Sequence, residues 1–157
     1  MKVAVFPGSF DPFTKAHFDI VMRGLLVFDK IIVAIGVNSA KVGLLSAEER
    51  LEGIESLFKG EKRVSVASFK GLTVDFCKTQ GAPFILRGLR NSADMEFESV
   101  IAENNAQLNP EIETFFLLSR SSMSHISSTV VRDIWRHGGD ISHLIPQEIL
   151  EIMKKTS

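Results

Sequence analysis

Three short stretches of this 157-residue chain gather residue types suited to holding phosphate. The first reads Pro7-Gly8-Ser9-Phe10-Asp11-Pro12-Phe13-Thr14-Lys15-Ala16-His17. Pro7, Gly8 and Pro12 keep the preceding apolar run from passing straight into a helix, and Thr14 is a favourable N-cap. His17 then falls in the first helical turn, where free backbone N–H groups and the positive helix end favour an anion. An imidazole donor there suits a phosphate oxygen, and Ser9 adds a hydroxyl on the way in. A lone Thr-x-x-His is more often a capped helix with an incidental histidine. Its place after the first strand, beside Ser9 and Asp11, turns the reading toward function.

The second stretch is Pro83-Phe84-Ile85-Leu86-Arg87-Gly88-Leu89-Arg90, followed by Asp94, Glu96 and Glu98. Two arginines at the carboxyl end of an apolar strand are costly to leave unpaired. Their fork geometry suits phosphate oxygens. Structural pairs with Asp94, Glu96 or Glu98 are the alternative. The third stretch, Ser119 to Arg132, is dense in hydroxyls and then turns helical. Ser127, Ser128 and Thr129 at a helix start offer side-chain donors and free N–H groups, enough for the two phosphates of a leaving pyrophosphate; a bare Ser-rich cap is the plainer reading. Lys41, between Ser39 and Gly43, is either a compact charge reaching into a cleft or solvated surface.

These strings, in this order, resemble a known family. Thr14 to His17 resembles the T/H-x-G-H motif of the nucleotidyltransferase superfamily, and Ile126 to Arg132 its I-S-S-T/S-x-x-R signature. PGSFDP and RGLR narrow the resemblance to the phosphopantetheine adenylyltransferase family, along nearly the whole chain. The resemblance implies transfer of AMP from ATP to 4′-phosphopantetheine, giving dephospho-coenzyme A and pyrophosphate, in a homohexamer. It implies Mg²⁺ carried mainly on the ATP phosphates, with no metal-binding residue of the protein. By the resemblance His17, Lys41 and Arg90 are catalytic. ATP contacts fall to Ser9, Phe10, His17, Gly88, Leu89, Arg90 and Glu98. They continue along Met123, Ser124, His125, Ile126, Ser127, Ser128 and Thr129, with no side-chain role given to His125 or His143. Ser9, Lys41, Thr73 and Arg87 fall to the acceptor, although Thr73 reads equally as an ordinary helix start. The attacking phosphate is mostly ionised near neutral pH and needs no general base. Departures are Ala16, where the family has glycine, and Val42 with Leu44-Leu45, where it usually has a second lysine and an aromatic. Sister enzymes acting on nicotinate mononucleotide or using CTP, and a non-catalytic nucleotide-binding module, are the competing readings.

Such residues must be positioned by the elements between them. Apolar runs at Val3–Phe6, Ile31–Val37, Val64–Phe69, Phe84–Leu86 and Phe115–Leu118 suit strands buried on both faces. Helical spacing intervenes: Phe18, Val21, Met22 and Leu25; Leu51, Ile54 and Phe58 after a Ser46/Glu49 capping box; Phe97, Val100, Ile101, Asn104 and Leu108; and Val130, Val131, Ile134 and Trp135. Pro146 opens a last helix to about Lys155. This alternation predicts an α/β fold, a doubly wound five-stranded parallel sheet, Rossmann-like, with residues 1–157 as one nucleotidyltransferase domain. Ligands of such sheets bind beyond the carboxyl ends of the strands, where all these motifs fall.

Composition sets outer limits. A net charge of −1 gives no global attraction for nucleic acid. No apolar segment approaches the roughly 20 residues of a membrane span, and no leader precedes the first strand, so a cytoplasmic location is expected. Cys77, the only cysteine, is expected to be a small buried hydrophobe in a reducing compartment.

Overall fold

The computed structural model describes residues 1–157. Five strands, β1 (Val3–Gly8), β2 (Lys30–Gly36), β3 (Val64–Phe69), β4 (Phe84–Leu89) and β5 (Glu113–Leu118), form one sheet in the order β3-β2-β1-β4-β5. Every neighbouring pair is parallel. The helices α1 (Lys15–Gly24), α2 (Ala47–Leu57), α3 (Thr73–Gln80), α4 (Ser92–Leu108), α5 (Ser128–Arg136) and α6 (Gln147–Thr156) cross between or follow the strands. The expected doubly wound α/β sheet is found.

The continuous apolar runs have the expected cause. Successive strand residues point to opposite faces, and both faces are covered along the inner strands β1, β2 and β4. The edge strands β3 and β5, expected to be buried as well, are only partly covered and leave Leu118 exposed. Ala4, Phe6, Ile31, Val33, Ile35 and Leu86 enter one core with α1, α2, α5 and α6. Val5, Ile32, Ala34 and Ile85 enter a second with Val74 and Cys77 of α3. Val5 stands opposite Ile32 on one side and Ile85 on the other. Cys77 is fully buried, and burial pushes its thiol up to about 11, so it stays protonated and packs as a hydrophobe.

Two further expectations need correction. β4 continues past Leu86 through Arg87 to Leu89, so Arg87 is a strand residue rather than the first residue beyond one. The parallel ladder with β5 carries it, pairing Arg87 with Phe116 and Leu89 with Leu118. The α4 stripe does not face this chain's core. Phe97, Val100 and Leu108 are 68%, 61% and 58% exposed, and Glu98 is the helix's buried residue. Helical periodicity reports that a face is apolar and not what covers it.

Sheet order reverses at β1, whose neighbours β2 and β4 lead to opposite wings. Diverging crossovers leave a crevice at the carboxyl ends of β1 and β4.

Candidate active site

Two cavities open in this crevice and share a wall. The larger, about 440 Å³, is lined by Ser9, Phe10, His17, Gly88, Arg90 and the Ser127–Thr129 turn. The smaller, about 280 Å³, is lined by Phe69, Thr73, Ile101, Asn105 and Thr114. Pro7, Gly8, Arg87 and Glu98 belong to both. Most residues marked for ATP line the larger cavity; of those marked for the acceptor, Thr73 lines the smaller, Arg87 belongs to both, Ser9 lines the larger and Lys41 lines neither.

His17 is the third residue of α1 and completes a capping box. The Thr14 hydroxyl accepts from the His17 amide at 3.3 Å, and the Thr14 amide donates to His17 Nδ1 at 3.0 Å. A histidine therefore fills the place that Glu or Gln holds in the usual box. Because Nδ1 is an acceptor, the ring proton sits on Nε2, leaving a neutral N–H donor for the cleft. Phe10 and Phe13 pack on the ring, with centroids 5.0 and 5.2 Å away. Burial, then the positive fields of Arg87 and Arg90, lowers its pKa from the ordinary 6.5 to about 3. Phe10 itself has φ 50°, a left-handed conformation that is strained for a bulky residue. Gly8 makes room for it: a Cβ there would lie 2.9 Å from the Phe10 ring. Ala16 is nearly buried, at once part of the core and of the larger cavity's wall.

The arginines do not stand free. Arg87 Nε donates to Glu98 Oε2 at 3.0 Å, its Nη2 to Glu98 Oε1, and its Nη1 to the Pro7 carbonyl. Arg90 pairs with Asp94 through Nε at 3.2 Å, and the same carboxylate accepts from the Arg90 amide. The structural pairing open at sequence level is realised at both positions. It coexists with exposure to the cavity and aims the guanidinium groups.

At the third motif the hydroxyls are partly committed. Ser127 Oγ accepts from the Val130 amide at 3.2 Å as the α5 cap, and Ser128 Oγ donates to the Pro12 carbonyl at 2.7 Å. Arg132 donates to the Asp11 carbonyl at 2.8 Å and to Thr129 Oγ1 at 3.3 Å. The Ser128 and Thr129 amides, ahead of the capped Val130, have no intrahelical acceptor and remain for an anion. Ile126 is buried on the cavity wall.

Several expected residues lie elsewhere. Leu89 is buried off the wall, Ser124 and the exposed His125 are outside both cavities, and Met123 lines a separate groove beside Phe18 and Met22. Lys41 is exposed, on neither wall, and its side chain has no hydrogen-bond or ion-pair partner. Conversely, Asn105 and Thr114 line the smaller cavity without a sequence signal of their own, and Ser119, which opens the third motif, lines the larger beside Asp94. Gly8 and Asp94 sit inside strings already singled out; Asn105 and Thr114 become neighbours only when α4 packs on β4 and β5.

Known proteins carry the same arrangement of sequence. A cytidylyltransferase-like family model matches residues 5–134. The phosphopantetheine adenylyltransferase of Christiangramia forsetii is 53% identical over 149 residues, covering 95% of this chain and 98% of its own. That of Flavobacterium psychrophilum is 54% identical over 149 residues, with coverage of 95% and 98%. That of Leptospira biflexa is 44% identical over 154 residues, with coverage of 98% and 96%.

Proposed function

This chain belongs to the phosphopantetheine adenylyltransferases, within the cytidylyltransferase-like nucleotidyltransferases, and from that premise we propose how its cleft transfers AMP from ATP to 4′-phosphopantetheine. The products are dephospho-coenzyme A and pyrophosphate. The carrying observation is the pair of cavities joined at Arg87, with His17 on the nucleotide side. Residues 1–157 act as one domain in this reading.

ATP occupies the larger cavity with its α-phosphate at His17 Nε2. The neutral imidazole donates a hydrogen bond that strengthens as charge gathers on the α-phosphoryl oxygens. Arg90 and the α5 amides face the β- and γ-phosphates and hold pyrophosphate as it leaves. The acceptor arm lies in the smaller cavity, with Thr73 at its wall and its phosphate at Arg87. Lys41 folds in over that phosphate from the β2–α2 loop. Two polyanions repel each other in water; Arg87 and Arg90, already oriented, and Lys41, which closes over the acceptor phosphate, bring the attacking oxygen near the α-phosphorus in line with the leaving group. No proton must be removed from a phosphate dianion, so the site works without a general base.

The cleft's own residues do not form a magnesium cage. No three His, Cys, Asp or Glu side chains converge there, and Asp94 and Glu98 are tied to arginines. Magnesium fits as a passenger on the ATP phosphates, which it binds in preference to all-protein cages, and it neutralises their charge there. No helix is long and apolar enough to cross a membrane, which accords with a cytoplasmic setting for this chemistry. The exposed Phe97, Val100 and Leu108 face of α4 accords with self-association, for which we propose a homohexamer.

The test is pyrophosphate release with ATP across acceptors. Release should depend on 4′-phosphopantetheine; equal or faster turnover with nicotinate mononucleotide would defeat the acceptor assignment and leave nucleotidyl transfer standing.

A further inference from the structure

Asp11 is nearly buried at 7% exposure and lies on the wall of neither cavity. Its two carboxylate oxygens are fully engaged by the chain that follows Lys41. Oδ2 accepts from the Leu44 amide and Oδ1 from the Leu45 amide, each at 2.8 Å. Gly43 is shaped to this contact, since a Cβ there would lie 2.7 Å from Asp11 Oδ2. The Asp11 carbonyl accepts from Arg132 of α5, and two residues back the Ser9 carbonyl accepts from Arg50 of α2. One aspartate thus ties the first motif to the Lys41 loop by its side chain and to the last motif by its main chain.

The loop has few other anchors. Leu45 is buried, but residues 39–43 are all exposed, and the Lys41 amide bonds only locally to the Asn38 carbonyl. A flexible lysine on an untethered loop would sample a wide volume, and its capture by an anion would carry that ordering cost. Two charge-assisted bonds at the loop's end narrow the volume.

We propose that Asp11 is a positioning residue for the acceptor side of the reaction: it latches the Leu44–Leu45 backbone and so presents Lys41 to the acceptor phosphate. This rests on the placement of Lys41 proposed above. Asp11 touches no substrate, and its effect passes through Lys41.

Asp11→Asn keeps size and offers one acceptor oxygen in place of two, setting an NH₂ against one of the amides. Gly43→Ala disturbs the same contact from the other side while leaving the carboxylate in place. Each variant should raise the KM for 4′-phosphopantetheine severalfold, to no more than the loss of about tenfold expected on removing Lys41 itself, with ATP affinity within about twofold of the parent. Hydrogen exchange in the ligand-free proteins should be faster at the Leu44 and Leu45 amides, and unchanged at Val33 in the sheet. In a cycle with Lys41→Ala, the double variant Asp11→Asn/Lys41→Ala should be no worse for the acceptor than Lys41→Ala alone. Additive losses in that cycle, or normal exchange at Leu44 and Leu45 in both latch variants, would overturn the latch. If Asp11→Asn does not fold, Gly43→Ala takes its place in the cycle and the same outcomes decide. A normal acceptor KM in Lys41→Ala instead overturns the placement of Lys41, while the exchange data judge the backbone contact separately.

Discussion

Arg87 and Lys41 are marked for the same anion, and the structure treats them in opposite ways. Arg87 rises from a central strand, is gripped by Glu98 and the Pro7 carbonyl, and keeps about a third of its side chain exposed. Lys41 is exposed on a loop, without a side-chain partner. The fixed cation is aimed before ligand arrives and loses little entropy on binding. The free cation costs nothing to keep in water and can follow the phosphate in and out. His17 belongs with the fixed group, because its orientation and tautomer are set by Thr14. A phosphoryl-transfer site gains from rigid donors at the reacting centre and mobile charge at the entrance.

This contrast can be broken most sharply at Arg87. Arg87→Ala leaves the buried Glu98 carboxylate uncompensated, so about 3 kcal/mol of stability should disappear together with acceptor affinity. Chemical denaturation checks the first and titration calorimetry the second; an unchanged denaturation midpoint would mean the pair is no more than a surface contact. His17→Ala removes a donor at the reacting phosphate. Its kcat should fall by about 10² or more while ATP still binds. A normal kcat in that variant would reduce His17 to a helix cap.

The tautomer argument has its own pH signature. Unfolded His17 takes up a proton below about 6.5, whereas folded His17 resists one until about 3. Its contribution to stability is therefore complete above 6.5 and is lost progressively as pH falls toward 3. His17→Gln preserves a side-chain acceptor for the capping box and removes the titration. The ligand-free variant should lose melting temperature more slowly than the parent between pH 6.5 and 4; parallel curves would count against a buried neutral imidazole.

On the mobile side, Lys41→Ala should weaken the acceptor about tenfold and leave the melting temperature unchanged, as exposed substitutions do. A marked loss of stability would show that Lys41 is fixed after all. The smallest effect is expected at Ala16. Ala16→Gly should cost about 0.5–1 kcal/mol of helix stability. ATP affinity should stay within about twofold, because the methyl is already packed into the core beside the cleft. A large gain in turnover would show that the methyl crowds the nucleotide.

Much of this molecule was legible without coordinates because its signals are local. Apolar runs of strand length, helical stripes, Thr14 and Ser46 as caps, and the motifs at the strand exits depend on residues close in sequence. Local sterics and hydrogen bonding decide such features, so they place the α/β sheet, the carboxyl-end crevice and the resemblance that names the reaction. Other features depend on residues far apart in the chain. Arg87 takes Glu98 and Pro7 as partners, 11 and 80 positions away, while Asp11 holds Leu44 and Leu45 at separations of 33 and 34. Which acid an arginine chooses, which side of α4 stays bare and which loop an aspartate grips all depend on distances that exist only once the sheet has brought its crossovers together. Residue types determined the chemistry available to this chain, and packing alone decided which of those groups became fixed, buried or free.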